Sequence, residues 1–489
     1  MLSRFGYDIE VFERCDDVGG VWSASRRYPG LRTQNGKATY AFSDFPFPRG
    51  VAEWPTGEQV QAYLSAYVER FGLAPRLRLG TEVVAADLDE AAGMWASQSV
   101  NAARGELVRS SFEHLVVANG VYCDPFVPTF EGADQHASAG GQVVHTSELR
   151  DLETARDRDV VVVGYGKSAC DVAEAVSEVA ASTTVVARQL LWKVPRHVGG
   201  ILNYKYLVLT RLGEALFRSP ELRGPDRLLH VRGLEPGPRM LSALRAIATR
   251  QDRLGELGLV PDGPFEEIAR STVSMTTDRF FAKVRRGKIA VCRDAEVAGL
   301  HAAGGRPLAE LADGSRLPAD LIVCGTGHRQ HVPFLAQPLQ RRITDTCGNF
   351  KLYRQTLPLS VPNLTFAGYN SSFLCPLSAE IGALWVAALG MGSIELPPTD
   401  EMRVRVRQRL RWSEERTQGR HAHGGSVIPF SMHNIDEMLN DIGLDISRFT
   451  RLRQWLLPIA PTAYRSLEKR LLERRGTLET LEHNSLAAG

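Results

Sequence analysis

The sequence predicts an α/β fold built on two parallel-sheet units, with a helical insertion in the second. Three observations predict it. Residues 160–163 are four consecutive valines, the kind of run shown by a strand buried on both faces. They pass directly into a Gly164-x-Gly166-x-x-Ala169 turn, a helix with Val172, Ala173, Val176 and Val179 at helical spacing, and a second strand at 183–188. Far upstream, residues 7–13 alternate like a strand, end on Glu13 and are followed by the Gly19-Gly20 pair.

The glycine turn sets the chemistry of the second unit. Gly164 permits the tight turn, Gly166 lets backbone approach a pyrophosphate, and Ala169 lets the helix lie close to the strand. The first turn of that helix, Lys167 and Ser168, presents free N–H groups and a positive partial charge to an anion. The second strand ends on Arg188, where an NAD site would carry Asp or Glu, and Lys193 and Arg196 follow closely. A guanidinium suits a 2′-phosphate, so the expected ligand is NADPH.

The first unit reads as its counterpart. Residues 1–7 look like the last turn of a helix capped by Gly6. Glu13 occupies the place where a carboxylate meets an adenosine ribose. Gly19, Gly20 and Trp22 follow, where backbone can approach a ligand. A strand and a Gly-x-Gly-x-x-Gly turn belong about 20–30 residues before this point. The sequence as written starts at Met1, too late to hold them, and the expectation is a true start upstream. Thr56 is the expected N-cap of a helix at 57–71. Strands are expected at 77–86, 92–101 and 112–120, the last running into Asn119-Gly120.

Composition excludes several classes. The chain has 489 residues, 58 Lys+Arg against 56 Asp+Glu and a net charge of +2, which gives nucleic acid no special attraction. Seven cysteines lie scattered with no C-x-x-C pair, against a disulfide framework, a zinc site and a dithiol redox centre. The longest apolar run, 381–394, is too short to span a bilayer. A cytoplasmic protein is expected, and the sequence is compatible with a homodimer.

With Glu-Arg-x-x-x-Val-Gly-Gly-Val-Trp (13–22), Tyr-Pro-Gly-Leu-Arg-Thr (28–33), Phe-Ser-Asp-Phe-Pro-Phe-Pro (42–48), Val-Val-Ala-Asn-Gly (116–120) and Gly-x-Gly-x-Ser-Ala (164–169) in order, the chain resembles the class B flavoprotein monooxygenases. The flavin-containing branch is nearest. The resemblance implies two Rossmann-like, three-layer dinucleotide-binding domains, with the NADP domain inserted into the FAD domain. The implied boundaries are 1–150 and 326–398 for FAD, 151–325 for NADPH with a helical insertion at about 200–270, and 399–489 as a helical end. Within the insertion the residues read as helices at 201–218 and 239–257, separated by the Gly/Pro-rich stretch 224–238. Thr326 and Gly327 fall in the segment that returns to the flavin domain. A helix from Ser378 is expected to aim its N-terminus at the flavin.

The same resemblance implies that NADPH reduces FAD, that O2 is captured as a flavin C4a-hydroperoxide, and that one oxygen atom passes to a small substrate. An amide that assists near the flavin corresponds to Gln34 or Asn35. The family's identifying motif matches at Gly141 and His145, and Ala139 and Leu149 replace its aromatics. His145 is read as either a linker between domains or a proton-transfer group. The missing tryptophan of the Baeyer–Villiger version favours N- or S-oxidation. The alternatives are a Baeyer–Villiger enzyme on ketones and an NADPH-binding remnant without FAD. A flavin disulfide reductase is the third, opposed by the missing C-x-x-C.

Overall fold

The computed structural model describes residues 1–219, 226–230, 236–269, 274–417 and 431–474. In the flavin-side unit these include β1 (Val11–Phe12), β2 (Leu77–Arg78), the antiparallel meander β3 (Thr81–Asp89), β4 (Met94–Asn101) and β5 (Leu107–Phe112), and then β6 (Leu115–Val117). The nucleotide unit holds β7 (Gln142–His145), β8 (Asp159–Val163), β9 (Ser182–Ala187), β10 (Ala290–Arg293) and β11 (Leu321–Cys324). β12 (Leu364–Phe366) returns to the flavin side.

The valine run does what an unbroken apolar stretch predicts. β8 is the centre of a five-stranded, wholly parallel sheet in the order β10-β9-β8-β11-β7. Val160, Val161 and Val162 are almost completely buried, because layers cover both faces. One cover is α2 (Lys167–Val176); α1 is the earlier Gly57–Arg70. Ala169, Cys170, Val172, Ala173 and Val176 of α2 are buried against the sheet. The edge strand β7, paired with β11, lies upstream of the expected boundary at 151.

The flavin-side sheet is in two pieces. β1 pairs with β2, and β6 pairs with β12, each parallel. The seven-residue strand expected at 7–13 is therefore cut to Val11–Phe12, since its one pairing partner is itself two residues long.

Other elements depart from expectation for local reasons. The helix expected at 201–218 is broken into Lys205–Val208 and Arg211–Ala215, preceded by a hairpin of His197–Val198 on Leu202–Asn203. Gly199 and Gly200, at φ 65° and 77°, make the turn. α3 (Pro236–Gln251) begins and ends earlier than expected, and residues 224–225 and 231–235 of the Gly/Pro-rich separator lie outside the described residues. α4 (Cys375–Gly390) begins three residues before Ser378, with Pro376 in its first turn, where its missing N–H is harmless. Its apolar run is buried against α5 (Ser431–Asp441), including Ile381, Leu384 and Trp385 on one side and Ile435, Met438 and Leu439 on the other. Among the described residues no helix is long and apolar enough to cross a membrane.

α1 carries the full capping box: Gln59 N–H donates to Thr56 Oγ1, and Thr56 N–H donates to the Gln59 side chain. Replacing Thr56 with Ala is expected to cost about 1 kcal/mol, checked as a lower thermal midpoint with cofactor binding unchanged.

Candidate functional site

A cavity of about 2450 Å³ separates the two units, well above the roughly 300–1,000 Å³ of a typical small-molecule site. The first turn of α2 and the loop after β11 form one wall, and Glu13 with the 20–35 loop forms another. The 118–124 and 371–375 segments close it.

On the nucleotide side, three small residues are locked together. Gly164 has φ 118°, and a Cβ there would stand 2.6 Å from the Gly325 carbonyl oxygen. A Cβ on Gly325 would stand 2.6 Å from the Ala169 Cβ. Gly164 and Ala169 therefore lie behind the wall and set its shape, while Gly166, Lys167 and Ser168 line the cavity. Around Gly166 a Cβ would meet nothing within 4 Å. Its side has no capping group, so the first N–H groups of α2 remain available to an anion.

That helix end is anchored from below. Asp171, buried, accepts from the Lys167 ammonium, from the Thr277 hydroxyl and from the Tyr28 hydroxyl at 3.3 Å. Burial and the Asp171 charge push the Tyr28 phenol well above its ordinary range.

The three expected cations separate. Arg188 is exposed just past the carboxyl end of β9, outside the cavity wall, 3.9 Å from Glu296. An exposed pair that long contributes under about 1 kcal/mol, so a phosphate can take the guanidinium from it. Lys193 and Arg196 are not available. Lys193 is buried, donating to the Tyr165 carbonyl and the Ser274 hydroxyl, and Arg196 is buried and paired with Asp278. Their charge answers internal acceptors, which spacing alone does not reveal.

On the flavin side, Glu13 lines the cavity and one carboxylate oxygen accepts from Cys15 N–H at 2.9 Å. Gly20 and Trp22 line it too. Gly19, at φ 140°, makes the turn behind them instead; a Cβ there would press on Ser23 N at 3.2 Å. Gln34 and Asn35 both reach the cavity in opposite senses. The Gln34 amide oxygen accepts from Met275 N–H at 3.0 Å, leaving its NH2 for the cavity. The Asn35 NH2 donates to the Phe373 carbonyl, leaving its oxygen.

His145 sits between the units and holds them. Its Nδ1 accepts from Ser147 N–H at 3.1 Å and its Nε2 donates to the Gly327 carbonyl at 3.0 Å. Both ring nitrogens are engaged by these partners, and burial depresses its basicity. His328 packs edge-on against it at 4.7 Å and is pushed down to about 4 by burial. Gly141, the other matched motif position, leaves room for the His136 ring lying on it. Leu149, where an aromatic was expected, is buried in the nucleotide unit's core.

The crossover is tied by four further hydrogen bonds. Asn119 donates to the His331 carbonyl and accepts from the Tyr369 hydroxyl, each at 2.8 Å. Thr326 donates to the Phe126 carbonyl, and Phe126 N–H donates to the Gly327 carbonyl. Asn119, Gly120, Thr326 and Gly327 all line the cavity.

Sequence reading missed Arg26, Tyr40 and Tyr122, which line the same space. Arg26 donates to the Tyr122 carbonyl at 2.6 Å. Arg26, Tyr40 and Tyr122 each lie two residues outside a quoted motif, and that proximity was the available signal.

Glu380 of α4 accepts from Ser43 N–H at 2.8 Å and from the Ser43 hydroxyl. Burial, with Asp44 and Glu468 nearby, pushes its carboxyl up to about 7. The folded state thus holds a proton that the unfolded chain has released above about 4.5. Between those values the folded form binds more protons, so stability falls as pH rises. Glu380→Gln is expected to flatten denaturant stability across that window and to raise it at pH 8.

The comparisons with known proteins agree with this geometry. The model of the flavin-binding monooxygenase-like family matches residues 5–222. The chain is 25% identical over 480 residues to the probable flavin-containing monooxygenase 1 of Arabidopsis thaliana, covering 89% of this chain and 87% of that one. It is 29% identical over 338 residues to the probable indole-3-pyruvate monooxygenase YUCCA7 of the same plant, covering 68% and 71%. Among solved structures, an oxidised steroid monooxygenase bound to NADP superposes with a TM-score of 0.67 at 19% identity, covering 90% of this chain and 94% of that one. The S-allyl-L-cysteine S-oxygenase of Allium sativum superposes at 0.60 and 19%, covering 100% and 95%. These likenesses show the fold of two dinucleotide-binding domains.

Proposed function

We propose that this chain, whose residues 5–222 match the model of the flavin-binding monooxygenase-like family, is a flavin-dependent enzyme with FAD and NADPH as cofactors that places one oxygen atom of O2 on an amine nitrogen or thioether sulfur of a small organic substrate. The observation that carries the reading is a juxtaposition. An anion-ready helix start at Gly166, Lys167 and Ser168 and an adenosine-type carboxylate at Glu13 open on one cavity, with the Gln34 amide reaching into it.

When bound, NADPH supplies hydride and FAD relays the electrons to O2. The chain's own residues hold and exclude. The free N–H groups of α2 take the NADPH pyrophosphate, and Arg188 takes the 2′-phosphate. Glu13 takes the flavin-side ribose. The Gln34 NH2 is the free donor toward a reacting oxygen or the nicotinamide amide, whereas the Asn35 NH2 is engaged with Phe373. Trp22, Tyr40, Tyr122 and Phe373 give the wall aromatic surface that keeps water from the reacting centre. His145, Asn119 and Thr326 brace the two units. Residues 1–150 and 326–398 form the flavin domain under this reading, and the NADPH domain runs to about 325 from β7.

The test is FAD-loaded protein given NADPH, air and a panel of tertiary amines, thioethers and ketones. The expected result is O2 uptake matched to NADPH oxidation, with N-oxide or sulfoxide formed. Esters from ketones in place of these would assign the Baeyer–Villiger reaction, and NADPH oxidation without O2 uptake would overturn the reading.

A further inference from the structure

Gln34 belongs to the flavin-side loop, yet the groups that hold it come from the other unit. Its neighbour Asn35 is tied at home: the Thr33 hydroxyl donates to the Asn35 carbonyl at 2.7 Å, and the Asn35 NH2 donates to the Phe373 carbonyl. Gln34 is tied away from home at both ends. Its backbone carbonyl accepts from the Tyr204 hydroxyl at 2.7 Å, and its side-chain oxygen accepts from Met275 N–H at 3.0 Å. Tyr204 directly follows the hairpin of His197–Val198 on Leu202–Asn203. Met275 lies at the base of the insertion, on Ser274–Met275, paired in parallel with Lys193–Val194.

Both holders are fixed in their turn. Tyr204 is fully buried, its N–H donates to the Arg196 carbonyl at 3.0 Å, and its carbonyl accepts from Leu207 and Val208 N–H at 2.9 Å. Burial pushes its phenol well above the ordinary range, so it stays a donor. Met275 N–H is free for Gln34 because the next N–H, that of Thr276, is the one that bonds Val194. A second strap lies beside the first. The Glu53 carboxylate accepts from the Lys205 ammonium at 2.7 Å and from the Asn203 NH2 at 3.5 Å. The same oxygen lies over Gly36, where a Cβ would stand 2.6 Å from it, and the Glu53 carbonyl accepts from Lys37 N–H at 2.7 Å.

A backbone N–H can meet only an acceptor, so Met275 dictates which end of the Gln34 amide turns away from the cavity. Among the described residues that is the one hydrogen bond of the Gln34 side chain. We propose that the insertion, through Tyr204 and Met275 N–H, positions the Gln34 amide and fixes it as a donor, so that the cavity presents an NH2 group only while the insertion is docked on the 33–37 loop. Tyr204 is therefore a positioning residue that acts through Gln34. The ligand atom placed against Gln34 is an acceptor: the carboxamide oxygen of nicotinamide, not its NH2, or a reacting oxygen. The proposal rests on the reading of Gln34 as the donor of the monooxygenase site, and it adds what makes that amide a donor.

The test is a double-substitution cycle on the FAD-loaded full chain: parent, Tyr204→Phe, Gln34→Ala and the pair. Two quantities are read. One is the affinity for NADP+ by titration calorimetry, without turnover. The other is the share of oxidised NADPH that ends as H2O2, with NADPH, H+ and O2 giving NADP+ and H2O2. The control ligand is 2′-phospho-ADP-ribose, which has no nicotinamide. Gln34→Ala is expected to weaken NADP+ or raise the H2O2 share about fivefold, the worth of one hydrogen bond. Tyr204→Phe is expected to move the same quantity in the same direction, about threefold. The pair should equal Gln34→Ala, and all four proteins should bind the control ligand equally. A Tyr204→Phe effect that adds in full to that of Gln34→Ala, or that weakens the control ligand, would show a merely structural role and overturn the proposal. So would either single variant equal to the parent in both quantities. A parent that takes up no O2 with NADPH would count against the monooxygenase reading, and the NADP+ titrations would still decide this one.

Discussion

Replacing Gly164 with alanine is expected to abolish NADPH-driven turnover and to raise the NADPH dissociation constant at least 100-fold, about 2.7 kcal/mol. Two effects combine. A φ of 118° is one that residues with a Cβ rarely adopt. The new Cβ would also stand 2.6 Å from the Gly325 carbonyl, which is backbone of the adjoining loop and cannot swing aside. The turn must open, and it carries α2 away from Gly325 and the cavity wall with it. Gly166→Ala separates shape from binding. Its backbone is ordinary for any residue, and its Cβ would meet nothing of the protein. That variant is expected to melt like the parent yet bind NADPH poorly, because the methyl group fills the approach of the pyrophosphate. Titration calorimetry and thermal melts on both variants check the pair. Equal NADPH affinity in parent and G164A would refute the geometry.

The second large effect is expected from Asp171→Ala. This carboxylate accepts from Lys167, Thr277 and Tyr28, and so joins the start of α2 to the flavin-side loop and to the segment after Ser274. Removing it strands the Lys167 ammonium, whose side chain is 12% exposed. Breaking a buried pair from one side costs about 3–5 kcal/mol, and the residual exposure of Lys167 places this case near 3. Because the chain has two units, the loss is best read as faster amide exchange along α2 than along α4. Tyr28→Phe removes one neutral donor and is expected to cost about 1 kcal/mol. A D171A protein with α2 protection equal to the parent's would show that the carboxylate does not hold the helix.

The strand–turn–helix–strand from 159 to 187 was legible because full burial writes itself as an unbroken apolar run, and the small residues at 164 and 169 answer to backbone contact. The strand at 7–13 was legible as pattern but not in extent, since extent depends on a neighbour that composition does not reveal. Lys193 and Arg196 misled because a charge in sequence carries no direction. Here Lys193 lies over the Tyr165 ring at 4.6 Å and faces inward. His145 was ambiguous for the same reason, and only the positions of Gly327 and Ser147 decide what its nitrogens do. The broken helix at 201–218 was hidden by ordinary helix formers; the glycine pair at 199–200 held the clue. The early start of α4 was signalled by Pro376, a residue that favours the first turn of a helix.

The most direct measurement is anaerobic mixing of the FAD-loaded protein with NADPH, followed at the flavin absorbance. One cavity shared by the helix start at Gly166 and by Glu13 predicts rapid bleaching, at least ten times faster with NADPH than with NADH, and return of colour with O2 uptake when air is admitted. A flavin that stays oxidised under excess NADPH would contradict it.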